Sequence, residues 1–123
     1  MARILYGVCG IGMGHCTRSL EILEELTREH EIIVVSYGSA YRMLKGMFPK
    51  TRKVKYFEML FNETRVSKRK TLLHNLPRLP EILISNLSEY SKMLRDFRPD
   101  IVVSDFEIGS FYLSKMLMVP SIV

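Results

Sequence analysis

The stretch Gly7-Val8-Cys9-Gly10-Ile11-Gly12-Met13-Gly14-His15-Cys16-Thr17-Arg18 constrains this chain more than any other. An apolar run, Ile4-Leu5-Tyr6, leads into it, and a segment with helical periodicity, 19–28, follows. Strand, glycine-dense turn and helix, in that order, are the layout of a nucleotide- or phosphate-handling loop at the carboxyl end of a parallel strand. Glycine permits positive φ and lets the backbone approach a ligand closely. The following helix turns its unpaired N–H groups and the positive end of its dipole to the same spot, which suits an anion. The end of the loop departs from the dinucleotide fingerprint G-x-G-x-x-G, which wants glycine where this chain has His15. The pattern is G-x-G-x-G-H-x-x-R, and it sets an imidazole at the mouth of the site. Gly10, Gly12, Met13, Gly14 and Arg18 are the candidate substrate- or phosphate-binding positions of this loop.

A chain of 123 residues, 47% apolar and 25% charged, reads as one globular domain with a modest core. The net charge of +5 permits an anionic partner, whether phosphorylated substrate, acidic membrane surface or nucleic acid, without choosing among them. Cys9 and Cys16 flank the glycines at a spacing of neither a redox C-x-x-C pair nor a zinc knuckle. They read as small buried residues, one at a strand end and one facing the core from the first helix turn, in a reducing cytoplasm. A lone Arg3 before a short apolar run that dissolves into glycines is not a secretory signal. Nothing approaches the ~20 apolar residues of a membrane span.

In chain order, 3–9 reads as a buried strand and 15–28 as a helix with Cys16, Leu20, Leu23 and Thr27 along one face. Residues 31–36 hold the β-branched run Ile32-Ile33-Val34-Val35, as in an interior parallel strand. Gly38-Ser39 is expected to make a turn and N-cap for a short helix over 40–45. Tyr37 and Ser39 are also candidates to contact an acceptor. A third strand is expected over 54–59 and a polar, basic loop over 61–71. A helix starts at Pro80 and runs to about Phe97, with Leu83, Leu87, Tyr90 and Leu94 at core spacing. Ile101 to Ser104 is a fourth strand with Asp105 at its exit, 108–117 another helix, and 119–123 the start of a fifth strand. Alternating β and α implies an α/β fold, a doubly wound parallel sheet with helices on both faces. Ligands of such sheets sit beyond the carboxyl ends of the strands, where the glycine loop, 36–39 and Asp105 all fall. His30 and His74 read as surface residues.

The opening from Ile4 to Arg18 resembles the N-terminal domain of two-domain GT-B glycosyltransferases, closest to the MurG-like and UDP-glycosyltransferase-like branch. A second stretch, Arg98-Pro99-Asp100-Ile101-Val102-Val103-Ser104-Asp105, followed by a helix and Val119-Pro120, is similar to the same domains. The resemblance implies two Rossmann-like domains facing across a cleft, the first mostly binding acceptor and the second mostly binding the nucleotide-sugar donor. On that reading 1–123 is an incomplete N-terminal, acceptor-side domain, either a shortened form or a naturally split subunit. It lacks the main donor site and is inactive alone. The resemblance implies an inverting transfer from a nucleotide-diphosphate sugar, UDP-linked, to an acceptor hydroxyl. His15 would be the base, as imidazoles titrate near neutral pH. Asp105 would be its carboxylate partner. The leaving diphosphate would be stabilised by amides and a helix dipole, with no metal and no further cofactor.

Each residue also has a plainer reading. His15 can satisfy backbone groups at a helix start, Asp105 can cap the helix near Ile108, and Arg18 can be a solvated charge. The basic run Arg65, Lys68, Arg69 and Lys70 precedes Leu72, Leu73 and Leu76; such a set over 65–76 can rest on an anionic membrane surface, the inner face being implied. MurG-like proteins use the N-terminal domain this way. An open cleft face and unfinished sheet edge predict self-association, a homodimer through that edge. Two other functions compete: a non-catalytic anchoring subunit of a split glycosyltransferase, and a dinucleotide-binding Rossmann domain. Against the second, the strand over 31–36 ends in Val35-Ser36-Tyr37 with no acid to hold ribose hydroxyls. Nucleic-acid binding is not expected, since the basic run has no interleaved aromatics.

Overall fold

The computed structural model of the chain describes residues 1–10, 14–55, 61–62, 65–66, 68–105 and 107–123. Gly12 and Met13, and most of the strand expected over 54–59, lie outside the described residues. The elements are β1 (Arg3–Val8), α1 (Gly14–Leu26), β2 (Glu31–Ser36), α2 (Gly38–Met47) and β3 (Thr51–Lys53). A short antiparallel pair follows, β4 (Phe61–Asn62) and β5 (Arg65–Val66), then α3 (Lys68–Asn75) and a 3-10 turn (Leu76–Arg78). The chain closes with α4 (Leu79–Asp96), β6 (Ile101–Asp105), α5 (Ile108–Leu117) and β7 (Ser121–Ile122).

Five strands form one parallel sheet in the order β3-β2-β1-β6-β7. The two central runs, Ile4-Leu5-Tyr6-Gly7-Val8 and Ile32-Ile33-Val34-Val35, are buried on both faces, as continuous β-branched strands of parallel sheets are. Side chains alternate across the sheet. Ile4, Tyr6, Val8, Ile32 and Val34 pack with Cys16 and Leu23 of α1 and Ala40 and Leu44 of α2. Leu5, Cys9, Ile33, Val35 and Val102 pack with Tyr90, Met93 and Phe97 of α4 and Leu113 of α5. The architecture is therefore the doubly wound α/β layout, and each fully buried aliphatic residue contributes about 1.5–3 kcal/mol. Cys9 and Cys16 are both buried free thiols.

Four local expectations are corrected. A strand not expected from the sequence lies at Thr51–Lys53, and Val54 and Lys55 after it carry no strand. Thr51 anchors it by donating its hydroxyl to the carbonyl of Phe48 at 2.6 Å, and an edge strand accepts the charged Arg52 and Lys53. The basic segment taken for a loop holds β4, β5 and the first turn of α3. Along α4, Tyr90 is buried and Leu94 packs against the core as expected, with Ile82, Met93 and, just past the helix, Phe97 also inward, whereas Leu87 is 55% exposed; the side chain of Leu83 lies outside the described residues. On α1, Ser19 rather than Thr27 completes the buried face, and Thr27 stands exposed just past the helix end.

α2 begins at Gly38 with Tyr37 at the N-cap, and no side chain caps it, so Ser39 is not the cap expected of it. Gly38 takes φ +63, which favours glycine. This turn abuts the end of β1. A Cβ on Gly10 would lie 1.9 Å from the Tyr37 carbonyl oxygen, which is backbone and cannot step aside. Gly10 is thus required by packing of the protein on itself. Gly10→Ala is expected to destabilise the fold by about 3 kcal/mol in urea unfolding, through forced separation of the β1 and β2 exits. An unchanged midpoint would refute that close approach.

Candidate functional site

Register brings the site together. Across β1 and β6, Val8 stands opposite Asp105, and the Cys9 amide extends the ladder by donating to the Asp105 carbonyl at 2.9 Å. The exits of β1 and β6 are also where the strand order switches, since β2 and β3 lie on one side of β1 and β6 and β7 on the other. Open α/β sheets place ligands in the crevice at that switch. The Ser36 hydroxyl donates to the Val8 carbonyl at 2.8 Å and holds the neighbouring exit of β2 to the same edge.

α1 starts beyond this edge and carries His15 in its first turn. His15 Nδ1 lies 2.8 Å from Asp105 Oδ1, with both side chains about one-quarter exposed. The Asp105 Oδ2 accepts from the Ser19 hydroxyl at 3.0 Å, and the Tyr6 hydroxyl donates to Ser19 Oγ at 3.3 Å. Arg18 Nη2 stands 3.2 Å from the same His15 Nδ1. A guanidinium only donates and a carboxylate only accepts, so one ring nitrogen cannot hydrogen-bond both at once. The shorter contact to the less exposed Asp105 makes Nδ1 the donor, and Arg18 then supplies positive charge beside the ring at the exposed start of α1. This tautomer puts the basic lone pair on Nε2. Burial raises the pKa of Tyr6, the Ser19 hydrogen bond lowers it in part, and the Asp105 charge raises it again. Its phenol stays a neutral donor.

The structure thus gathers His15, Asp105 and Arg18 at the switch point. Gly14 opens α1 exposed, and a Cβ there would meet no described atom. Gly10 faces Tyr37 instead, and Ser39, half-buried in the first turn of α2, has no part in the hydrogen-bonded set around His15. No group of three or more potential metal-ligating side chains occurs among the described residues. His30 is half-buried, with Nδ1 accepting from the Ala2 amide at 2.9 Å.

Asp105 does not cap α5. Glu107 does, with Oε1 accepting from the Gly109 amide at 3.0 Å and Oε2 from the Ser110 amide at 2.6 Å. Glu107 is 4% exposed, and its carbonyl accepts from the buried hydroxyls of Ser104 and Ser110. The Tyr90 hydroxyl is buried beside this carboxylate. Burial first, and then Glu107, push its pKa far above the usual phenol range. Glutamate is not among the favoured N-cap residues, so residue preference alone points to Asp105 instead. With the cap assigned to Glu107, the Asp105 carboxylate is left to the α1 side of the sheet.

Residues 2–123 match the family described as glycosyl transferase family 1. Among solved structures, the crystal structure of MurG from Acinetobacter baumannii aligns with a TM-score of 0.62 at 15% identity. The alignment covers 98% of this chain and 34% of that one, so the chain spans about a third of that protein's length. At such identity the likeness bears on fold. No curated protein matches the chain.

Glu107→Ala leaves the buried Ser110 amide and the part-buried Gly109 amide at the start of α5 without acceptors. It is expected to cost about 2 kcal/mol by chemical denaturation. Asp105→Ala, which caps nothing, should leave the helix content of α5 intact by circular dichroism. Equal loss of α5 helix in both variants would contradict the assignment of the cap.

Proposed function

The chain belongs to glycosyl transferase family 1, and from that premise we propose that it is the acceptor-side part of an inverting transferase. The reaction moves a hexose from a nucleoside-diphosphate donor, UDP-linked, to an acceptor hydroxyl. The supporting observation is the contact of His15 with Asp105, 2.8 Å apart at the switch point of the sheet. In this reading His15 Nε2 takes the proton of the acceptor hydroxyl as its oxygen attacks the anomeric carbon. The bond from that carbon to the diphosphate oxygen breaks, and the electron pair leaves with the diphosphate. Asp105 orients the ring and stabilises the imidazolium that forms. Arg18, the Gly14 end of α1 and its dipole offer positive charge to the anionic substrate. In the same reading Gly12 and Met13, next in sequence, also contact the anionic substrate.

The dinucleotide alternative is weaker. The end of β2, where such domains keep an acid for the ribose, holds Ser36, whose hydroxyl is already given to Val8. The donor is bound mainly by polypeptide beyond these 123 residues, on the same chain or a separate one, so these residues alone do not turn over. In the intact transferase, His15→Ala should lower turnover by ~10²-fold or more, the scale of a lost general base. Near-normal turnover would remove His15 as base and leave the family and fold untouched.

We also propose that the acceptor is met at an anionic membrane surface, at the cytoplasmic face. Leu73, Leu76, Ile84 and Leu87 stand exposed on α3, the 3-10 turn and α4, with exposed Arg69 and Lys70 on the same stretch. No helix among the described residues is long and apolar enough to cross a membrane. Flotation should show binding to vesicles containing phosphatidylglycerol, weakened by salt and lost in a Leu73→Asp/Leu76→Asp double variant. Binding that ignores anionic lipid, or none at all, refutes this contact.

A further inference from the structure

α1 carries a serine where its inner face calls for an aliphatic residue. Ser19 sits between Cys16 and Leu23 on that face, and all three are fully buried. A serine within a helix commonly turns its hydroxyl back to a carbonyl of the preceding turn. This one reaches across to another element and donates to Asp105 Oδ2 at 3.0 Å. His15 and Ser19 are four residues apart, so both project from one side of α1, and together they occupy both oxygens of one carboxylate. Behind Ser19, Tyr6 of β1 donates to Oγ at 3.3 Å. Hydrogen bonds from three elements run in one direction, from Tyr6 through Ser19 to Asp105, and His15 donates from the other side.

We infer that Ser19 is a positioning residue: its hydroxyl, backed by Tyr6, holds Asp105 so that Oδ1 stays on His15 Nδ1 and the basic lone pair stays on Nε2. The inference rests on the reading of His15 as the base. Its physical need comes from Arg18, 3.2 Å from the same Nδ1. A carboxylate tied at one oxygen only can swing toward the guanidinium. Nδ1 would then be free to accept from Arg18, and the hydrogen of the neutral ring would move to Nε2. In that tautomer the ring has no lone pair at Nε2 to receive a proton. Ser19 removes this option by fixing the second oxygen. A wrong tautomer in a comparable histidine–carboxylate pair costs orders of magnitude in turnover.

The test is the ring nitrogen spectrum of His15 in the uniformly 15N-labelled 123-residue chain, at a pH where the ring is neutral. In the unaltered protein Nδ1 should resonate as a protonated, pyrrole-type nitrogen and Nε2 as a pyridine-type one. In Ser19→Ala the two signals should move toward the exchange-averaged values of a free imidazole, which favours hydrogen on Nε2. Ser19→Thr, which keeps the hydroxyl, should restore the pattern. Amide dispersion reports folding, and if Ser19→Ala is unfolded the near-isosteric Ser19→Cys, a weak donor, should shift the signals part-way. In the intact transferase Ser19→Ala should lower kcat on the order of tenfold with KM little changed. A Ser19→Ala or Ser19→Cys spectrum equal to that of the unaltered protein overturns the inference, as does an Nε2–H ring in the unaltered protein. A shifted tautomer in Ser19→Ala together with full turnover in His15→Ala would keep the positioning effect and refute only the base.

Discussion

The site depends on one register. Because Val8 pairs with Asp105 across β1 and β6, the carboxylate stands at the sheet edge from which the glycine turn departs. The bond from the Cys9 amide to the Asp105 carbonyl fixes the backbone of both exits before any side chain is considered. A slip by one residue would turn Asp105 to the α4–α5 face and put Ser104 under α1. The sheet cannot slip, because Ile4, Tyr6 and Val8 fill one layer while Leu5 and Cys9 fill the other. Hydrophobic alternation, which carries no chemical information, thus decides which face receives the acid.

Strand alternation and helix capping then divide two carboxylates only two residues apart. Asp105, at the end of β6, meets α1 through His15 and Ser19. Glu107, past the strand, folds onto the amides that open α5 and is nearly sealed from water. If Asp105 capped α5, His15 would have no fixed partner on β6. The longer glutamate side chain reaches back over Ile108 to Gly109 and Ser110 and meets that demand.

Legibility followed hydrophobic contrast. β1, β2 and β6 were plain in the sequence because each is an apolar run framed by glycine, proline or charge, and the glycine loop with its histidine pointed to the candidate site at the sheet edge. β3 was missed because Thr51-Arg52-Lys53 is polar and is held by a turn hydrogen bond and a neighbouring strand, neither of which leaves a periodic trace. The inner face of α4 was legible at Tyr90 and Leu94, and Leu87 was misplaced because its spacing alone mimics a core position. Tyr90 and Met93 take the buried positions, and Leu87 is left outside. Ser19 and Tyr6 could not be read at all. A serine amid apolar neighbours and a tyrosine in a strand each look like packing residues, and only the fold reveals that they meet at Asp105.

The two faces of the sheet treat buried polarity in opposite ways. Under α1, Tyr6, Ser19, Asp105 and His15 satisfy one another in sequence. Such a chain in a low-dielectric interior is favourable only when each link is made, and an apolar set of the same volume would serve stability as well or better. Stability alone therefore does not account for a serine between Cys16 and Leu23. Under α5, Glu107 and the serines are bound to backbone that would be unsatisfied without them. There, polarity follows from starting a helix inside the protein. On the α1 side the hydrogen bonds of Tyr6, Ser19 and Asp105 lead outward to the ring of His15.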